Sequence, residues 1–185
     1  MNNNFEILNI KEPILLNNLL SPNDNLHMLN YLVNNQVFYI QEESDGLRFR
    51  HAFENSFPHS GFCSELLRRE ETFNPNLSIL HTYAYVIVNN IANNLKFKYK
   101  NIERVHFNYY LTGQSGQIHK DDNRDNFVSI LYNPHTTDGG TEILGKTHLD
   151  QMGQAKLFKS NWDHKAIGTK KDKARSSLNI VLELY

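Results

Sequence analysis

The sequence predicts a mainly β fold, a sandwich or barrel, with supporting helices confined to its N-terminal half. Two observations carry this expectation. From Arg104 onward, short segments rich in β-branched and aromatic residues recur at regular intervals, with turn residues between them and no helical pattern intervening, which argues against a parallel α/β sheet. The last segment, Ser176 to Leu184, also alternates: Leu178, Ile180, Leu182 and Leu184 fall on one face, and Arg175, Ser177, Asn179 and Val181 on the other. Such a strand buries its apolar face and turns the second toward the interior of a small barrel.

In the N-terminal half, Glu6 to Ile10 and Val37 to Gln41 read as strands, and Asn23 to Asn34, after Ser21-Pro22, as a helix. A longer helix is expected from Leu77 to Leu95, where Ile79, Tyr83, Val86, Ile87 and Ile91 recur at spacings of three and four as a stripe suited to packing on a sheet. The β segments that follow are Val105 to Leu111, Phe127 to Tyr132, Thr141 to Leu144, Ala155 to Phe158 and the last strand. Glu43 to Phe73, with Phe49, Phe53, Phe57 and Phe62, is read as a lid or substrate wall, or as core.

With 185 residues, no internal repeat and no linker rich in Pro, Gly or Ser, residues 1–185 are expected to form one domain, 1–103 as support and 104–185 as core. The net charge of -1 supplies no basic field of the kind that points to nucleic acid. The lysines between Lys159 and Arg175 read as a solvated loop. The single cysteine, Cys63, excludes an intramolecular disulfide and zinc sites built on paired thiolates. Met1 to Phe5 lacks a basic region leading into an apolar stretch, and the longest apolar run, Tyr83 to Val88, is too short to span a bilayer. A cytoplasmic protein without a membrane partner is expected.

The chemistry is concentrated after residue 108. In Gln117-Ile118-His119-Lys120-Asp121, following a turn with Gly113 and Gly116, an extended chain presents His119 and Asp121 to the same side. His-x-Asp alone is weak evidence, since a polar surface turn would look the same. Its weight comes from the series downstream: Leu131-Tyr132-Asn133, the turn Asp138-Gly139-Gly140-Thr141-Glu142, then Trp162-Asp163-His164 and Arg175 before the last strand. Two imidazoles and one carboxylate form the facial triad that suits iron(II) and leaves three positions open. His164 is the third ligand by its place just before the final strand, whereas His135 and His148 fall in turn regions. Arg175 offers the planar charged fork that a buried dicarboxylate needs at its far end. Ser177 and the Tyr110 hydroxyl are candidate further donors to that carboxylate.

On these motifs, together with Asn108-Tyr109-Tyr110 and Arg175-Ser176-Ser177, residues 104–185 resemble the catalytic core of the prolyl 4-hydroxylase-like branch of the 2-oxoglutarate and iron(II)-dependent oxygenases. The resemblance implies a double-stranded β-helix (jelly roll), iron(II) held by His119, Asp121 and His164, and 2-oxoglutarate and O2 as cosubstrates, with ascorbate as an auxiliary reductant. It implies a hydroxylase of a prolyl or other peptidyl side chain, with a free amino acid or small metabolite as the second substrate class. Arginine at 175 resembles the oxygen-sensing and bacterial relatives, and a carboxylate at 121 argues for hydroxylation over halogenation. Asn108, Arg124 and Trp162 are the candidate substrate-facing residues. A non-catalytic cupin-like binding domain, or a zinc or manganese hydrolase on the same ligands, are the competing classes.

Overall fold

The structure, a computed structural model, describes residues 3–35, 39–40, 62–68 and 78–185. The elements run α1 (Asn4–Leu8), β1 (Ile14–Leu16), α2 (Pro22–Asn35), β2 (Tyr39–Ile40), β3 (Phe62–Arg68), α3 (Ser78–Leu95), β4 (Tyr99–Leu111), β5 (Phe127–Asn133), β6 (Gly140–Ile143), β7 (Lys146–Leu149), β8 (Gln154–Lys159), β9 (His164–Ile167) and β10 (Ala174–Leu184). Among the described residues these strands make a larger sheet, in the order β1-β8-β5-β10-β4-β3-β2, and a smaller one, β7-β6-β9. Every pairing is antiparallel.

Side-chain alternation decides where the core and the site lie. Val105 and Phe107 of β4, Val128, Ile130 and Tyr132 of β5, Ala155 and Leu157 of β8, and Leu178, Ile180, Leu182 and Leu184 of β10 form one buried cluster with the helices. Each of these large side chains stabilises the fold by about 1.5–3 kcal/mol through burial. The opposite faces of the same strands, including Asn108, Tyr110, Ser129, Asn133, Lys156, Arg175, Ser177 and Asn179, are buried but mostly polar. Between the sheets a smaller apolar cluster joins Leu131 and Phe158 of the larger sheet to Ile143 of the smaller, with Trp162 packed on it. The two faces of β10 thus divide as its alternation predicts.

Local chemistry sets the supports. The α2 helix starts where Ser21 Oγ accepts the Asp24 backbone N–H at 3.1 Å, with Pro22 in the first turn where its missing N–H costs nothing. On α3 the buried stripe is Leu80, Ala84, Ile87, Val88 and Ile91. The predicted stripe is rotated from it: Val86 faces solvent, while Leu80, Ala84 and Val88 are fully buried. The strand expected over Glu6 to Ile10 is instead α1 followed by coil. Asn4 clasps residue 98 through both ends of its amide, donating to Lys98 O and accepting from Lys98 N at 2.8 Å each, and this pins a single helical turn.

β1, β3, β7 and β9 are additional to the predicted strands. The expected division at 103/104 falls inside β4, and β1, β2 and β3 extend the larger sheet, so support and core share one sheet. Of the lid or wall expected over Glu43 to Phe73, only β3 is described; Phe49, Phe53 and Phe57 lie outside the described residues. Among the described residues no helix is long and apolar enough to cross a membrane.

Candidate metal centre

His119 and His164 face each other across the barrel mouth through a two-residue bridge, each backbone N–H donating to the other's carbonyl at 2.9 and 3.0 Å. Their ring centroids lie 4.3 Å apart. Asp121, two residues beyond His119, turns its carboxylate between them, with Oδ1 3.9 Å from His119 Nε2 and Oδ2 3.5 Å from His164 Nε2. One ligand atom from each of the three residues lies within 4.8 Å of the other two. Among the described residues this is the arrangement suited to holding a metal ion.

The hydrogen bonds around the three residues fit a metal. His119 Nδ1 lies 2.9 Å from Gln117 O and His164 Nδ1 lies 3.0 Å from Trp162 O. Each Nδ1 therefore carries the proton, and each Nε2 lone pair is left toward the carboxylate. His164 Nε2 is buried without a hydrogen-bond partner, an acceptor that a cation would satisfy. Phe158 holds the His164 ring edge-on at 4.8 Å.

Asp121 has its own shell: Arg104 and Asn179 donate to Oδ1, and Ser129 Oγ donates to Oδ2 at 2.6 Å. Burial alone would push the Asp121 carboxyl up, but Arg104, both histidines and the Ser129 hydroxyl together hold it far below the usual carboxylate range. It is ionised at neutral pH. Burial likewise keeps His164 below the usual imidazole value, against the pull of Asp121. Two neutral imidazoles and one ionised carboxylate are the donor set of an open iron(II) site. His119 is exposed at 41% of its side chain while those of His164 and Asp121 are at 1%, so the centre opens toward solvent on the His119 side.

Along the inner face of β10, four residues before Asn179, lies Arg175, 1% exposed. Its Nε donates to Asp150 Oδ2 at 2.5 Å and its Nη2 to Thr141 Oγ1 at 2.9 Å. Tyr110, paired with Arg175 in register, brings its ring centroid to 5.5 Å from the guanidinium carbon, a cation–π contact. Gly139 permits this packing, since a Cβ there would meet Ile167 O at 2.8 Å and Arg175 Cδ at 3.1 Å. Ser177 and Asn108 are buried opposite each other on β10 and β4.

The other two candidates sit elsewhere. Arg124 stacks on Phe127 at 3.7 Å and pairs with Asp122 and Glu103 at the surface, and Trp162 packs on the cluster between the sheets. Sequence reasoning missed Arg104, Ser129, Asp150 and Lys156. The signal for the first was its place two residues before His106 on the face that carries Asn108 and Tyr110.

The neutral buried imidazoles have a consequence for stability. His135 accepts the Ser176 N–H at Nε2 and is held below the usual value, chiefly by burial, as is His164. On unfolding both regain the ordinary value of about 6.5, so below it the unfolded chain binds more protons and stability falls as pH drops. The urea midpoint of the metal-free protein is expected to fall between about pH 7.5 and 5.5. A level or rising midpoint contradicts burial of these imidazoles as neutral groups.

No family model and no curated protein matches the sequence. Solved structures do match. An oxidoreductase of the 2OG-Fe(II) oxygenase family from Burkholderia pseudomallei superposes with a TM-score of 0.68 at 11% identity, over 98% of this chain and 89% of that one. A Trichoplax adhaerens prolyl hydroxylase, in complex with a hypoxia inducible factor oxygen degradation domain peptide fragment, gives 0.64 at 14%, over 96% and 86%. A Pseudomonas putida prolyl-4-hydroxylase gives 0.63 at 13%, over 97% and 96%. The chain has the double-stranded β-helix fold of these 2-oxoglutarate and iron(II)-dependent oxygenases.

Proposed function

We propose that residues 1–185 form one catalytic unit, an iron(II)- and 2-oxoglutarate-dependent dioxygenase that hydroxylates an unactivated C–H bond in a prolyl or other peptidyl side chain. The observation that carries this reading is the convergence of the two Nε2 lone pairs on the ionised Asp121 at one end of a barrel face, with the buried guanidinium of Arg175 farther along it. His119, Asp121 and His164 would hold the metal; Arg175, with Tyr110 and Ser177, would take the distal carboxylate of the 2-oxo acid. When bound, iron(II) with the 2-oxo acid and O2 supplies the oxidising power for C–H hydroxylation.

The chain's own groups do the positioning. Arg104, Asn179 and Ser129 fix the Asp121 carboxylate, and the two backbone carbonyls fix the imidazole tautomers. Phe158 and Leu131 keep water from the inner side of the centre, while the exposed His119 edge admits a substrate. Beside that edge Ile118 is 62% exposed and Leu144, next to the strand residue paired with His164, is 52% exposed. These apolar lips support a peptidyl substrate, as do the prolyl hydroxylases among the similar structures.

The test offers the iron-reconstituted protein 2-oxoglutarate, O2 and a panel of proline-containing peptides beside free amino acids. Succinate is expected in step with a peptide mass gain of one oxygen atom. Turnover of free amino acids alone moves the substrate to small metabolites. No oxygen uptake with any addition, in folded iron-loaded protein, contradicts the reading.

A further inference from the structure

The inner end of the barrel holds an unbalanced set of charges. Lys156 is fully buried, its Nζ donating to Asn133 Oδ1 at 2.5 Å and to Asp150 Oδ1 at 3.3 Å. The same Asp150 accepts from Arg175 Nε and, at 3.2 Å, from the Thr137 hydroxyl. His135 nearby accepts a backbone N–H at Nε2 and is therefore neutral. Two cations thus share one carboxylate, all three 0–1% exposed. A surplus positive charge in a water-poor interior is costly unless an anion joins it or the lysine gives up its proton. A second observation points to the anion: Asn133 Nδ2, a donor on a fully buried side chain, has no hydrogen-bond partner.

We propose that Lys156 and Asp150 are specificity-determining residues of the cosubstrate pocket, Asp150 clamping the Nε edge of Arg175 and Lys156 supplying the second cation that makes the pocket select a dicarboxylate. The inference rests on the oxygenase reading and deepens it. One added carboxylate brings the cluster to two cations and two anions, and it gives Asn133 an acceptor. Arg175 alone, already paired with Asp150, lacks that surplus charge. A 2-oxo monocarboxylate of the same chain length, 2-oxopentanoate, gains nothing from Lys156, so the two acids separate recognition of the distal carboxylate from binding at the metal.

The experiment compares wild type, Lys156→Met and Asp150→Asn in anaerobic iron(II) titrations with 2-oxoglutarate and with 2-oxopentanoate, alongside thermal melts without ligand. Lys156→Met removes the surplus charge and leaves the Arg175–Asp150 pair one to one, so its ligand-free melting temperature is expected to equal or exceed that of wild type. Its 2-oxoglutarate affinity is expected to drop by about tenfold or more, the size of one charge-assisted hydrogen bond, with 2-oxopentanoate affinity unchanged. Asp150→Asn removes the anion that competes for both cations, so 2-oxoglutarate affinity is expected to rise relative to that of 2-oxopentanoate. Equal weakening of both acids, or a Lys156→Met protein that melts well below wild type, overturns the inference by making the lysine a structural group. Unchanged 2-oxoglutarate affinity in both variants also overturns it while leaving the oxygenase reading intact. Failure of the wild type to bind 2-oxoglutarate overturns both.

Discussion

His164→Ala is expected to weaken iron(II) binding by more than about 100-fold, the upper end of what loss of a residue merely supporting a ligand costs. The structure gives three reasons. His164 Nε2 is buried and unsatisfied, its tautomer is fixed by Trp162 O, and Asp121 Oδ2 stands 3.5 Å from it. Metal that binds only the folded state stabilises it, by about 2.7 kcal/mol at a hundred times the dissociation constant. Anaerobic iron(II) should therefore raise the melting temperature of wild type and leave that of His164→Ala nearly unmoved. His148→Ala is the control, because His148 lies on β7 outside the ligand cluster. A variant at 164 that keeps the metal-induced shift, or a control that loses it, would contradict the assignment of ligands.

The second large effect is on the fold. Arg175→Ala removes the closer of the two cations held by a carboxylate that is 1% exposed and empties the space of a large, fully buried side chain; breaking a buried pair by removing one partner costs about 3–5 kcal/mol. Lys156 remains 3.3 Å from Asp150 and offsets part of this, so about 3 kcal/mol is expected from urea unfolding at neutral pH. Burial alone would raise the Asp150 carboxyl, yet Arg175 and Lys156 hold it below its ordinary value. That stabilisation is present above the unfolded carboxylate value of about 3.9 and is lost as pH falls through the folded one. The gap between wild type and Arg175→Ala should accordingly shrink in acid. A gap that is absent at neutral pH, or that widens in acid, would show that the pair does not stabilise the fold.

How much of this was legible depends on the period of each signal. The alternation of Ser176 to Leu184 assigns both faces of β10, because a period of two admits no other division and the core cluster takes one set whole. His119 and Asp121 were readable for the same reason, and His164 by its position ahead of the last strand. The α1 turn was not: Phe5, Ile7 and the residues around them are too few to separate a helical from an extended period, and what fixes it is Asn4 gripping a loop more than ninety residues away. β7 exposes three of its four residues and half-buries the fourth, His148, so it offers no contrast between faces to read. Asp150 and Lys156 look in sequence like ordinary surface charges. Only the turn between β7 and β8, which folds one onto the other inside the barrel, shows that they are paired and share Arg175.

The most direct test of the oxygenase reading is an anaerobic titration of the metal-free protein with iron(II) and 2-oxoglutarate, followed by visible absorption. A weak charge-transfer band is expected that requires both additions, disappears in His164→Ala and needs far more 2-oxoglutarate when Arg175 is replaced by lysine, which keeps the charge but not the fork. A folded wild-type protein that takes up iron(II) and shows no band at saturating 2-oxoglutarate would contradict it, and would leave a metal-binding barrel without oxygenase chemistry.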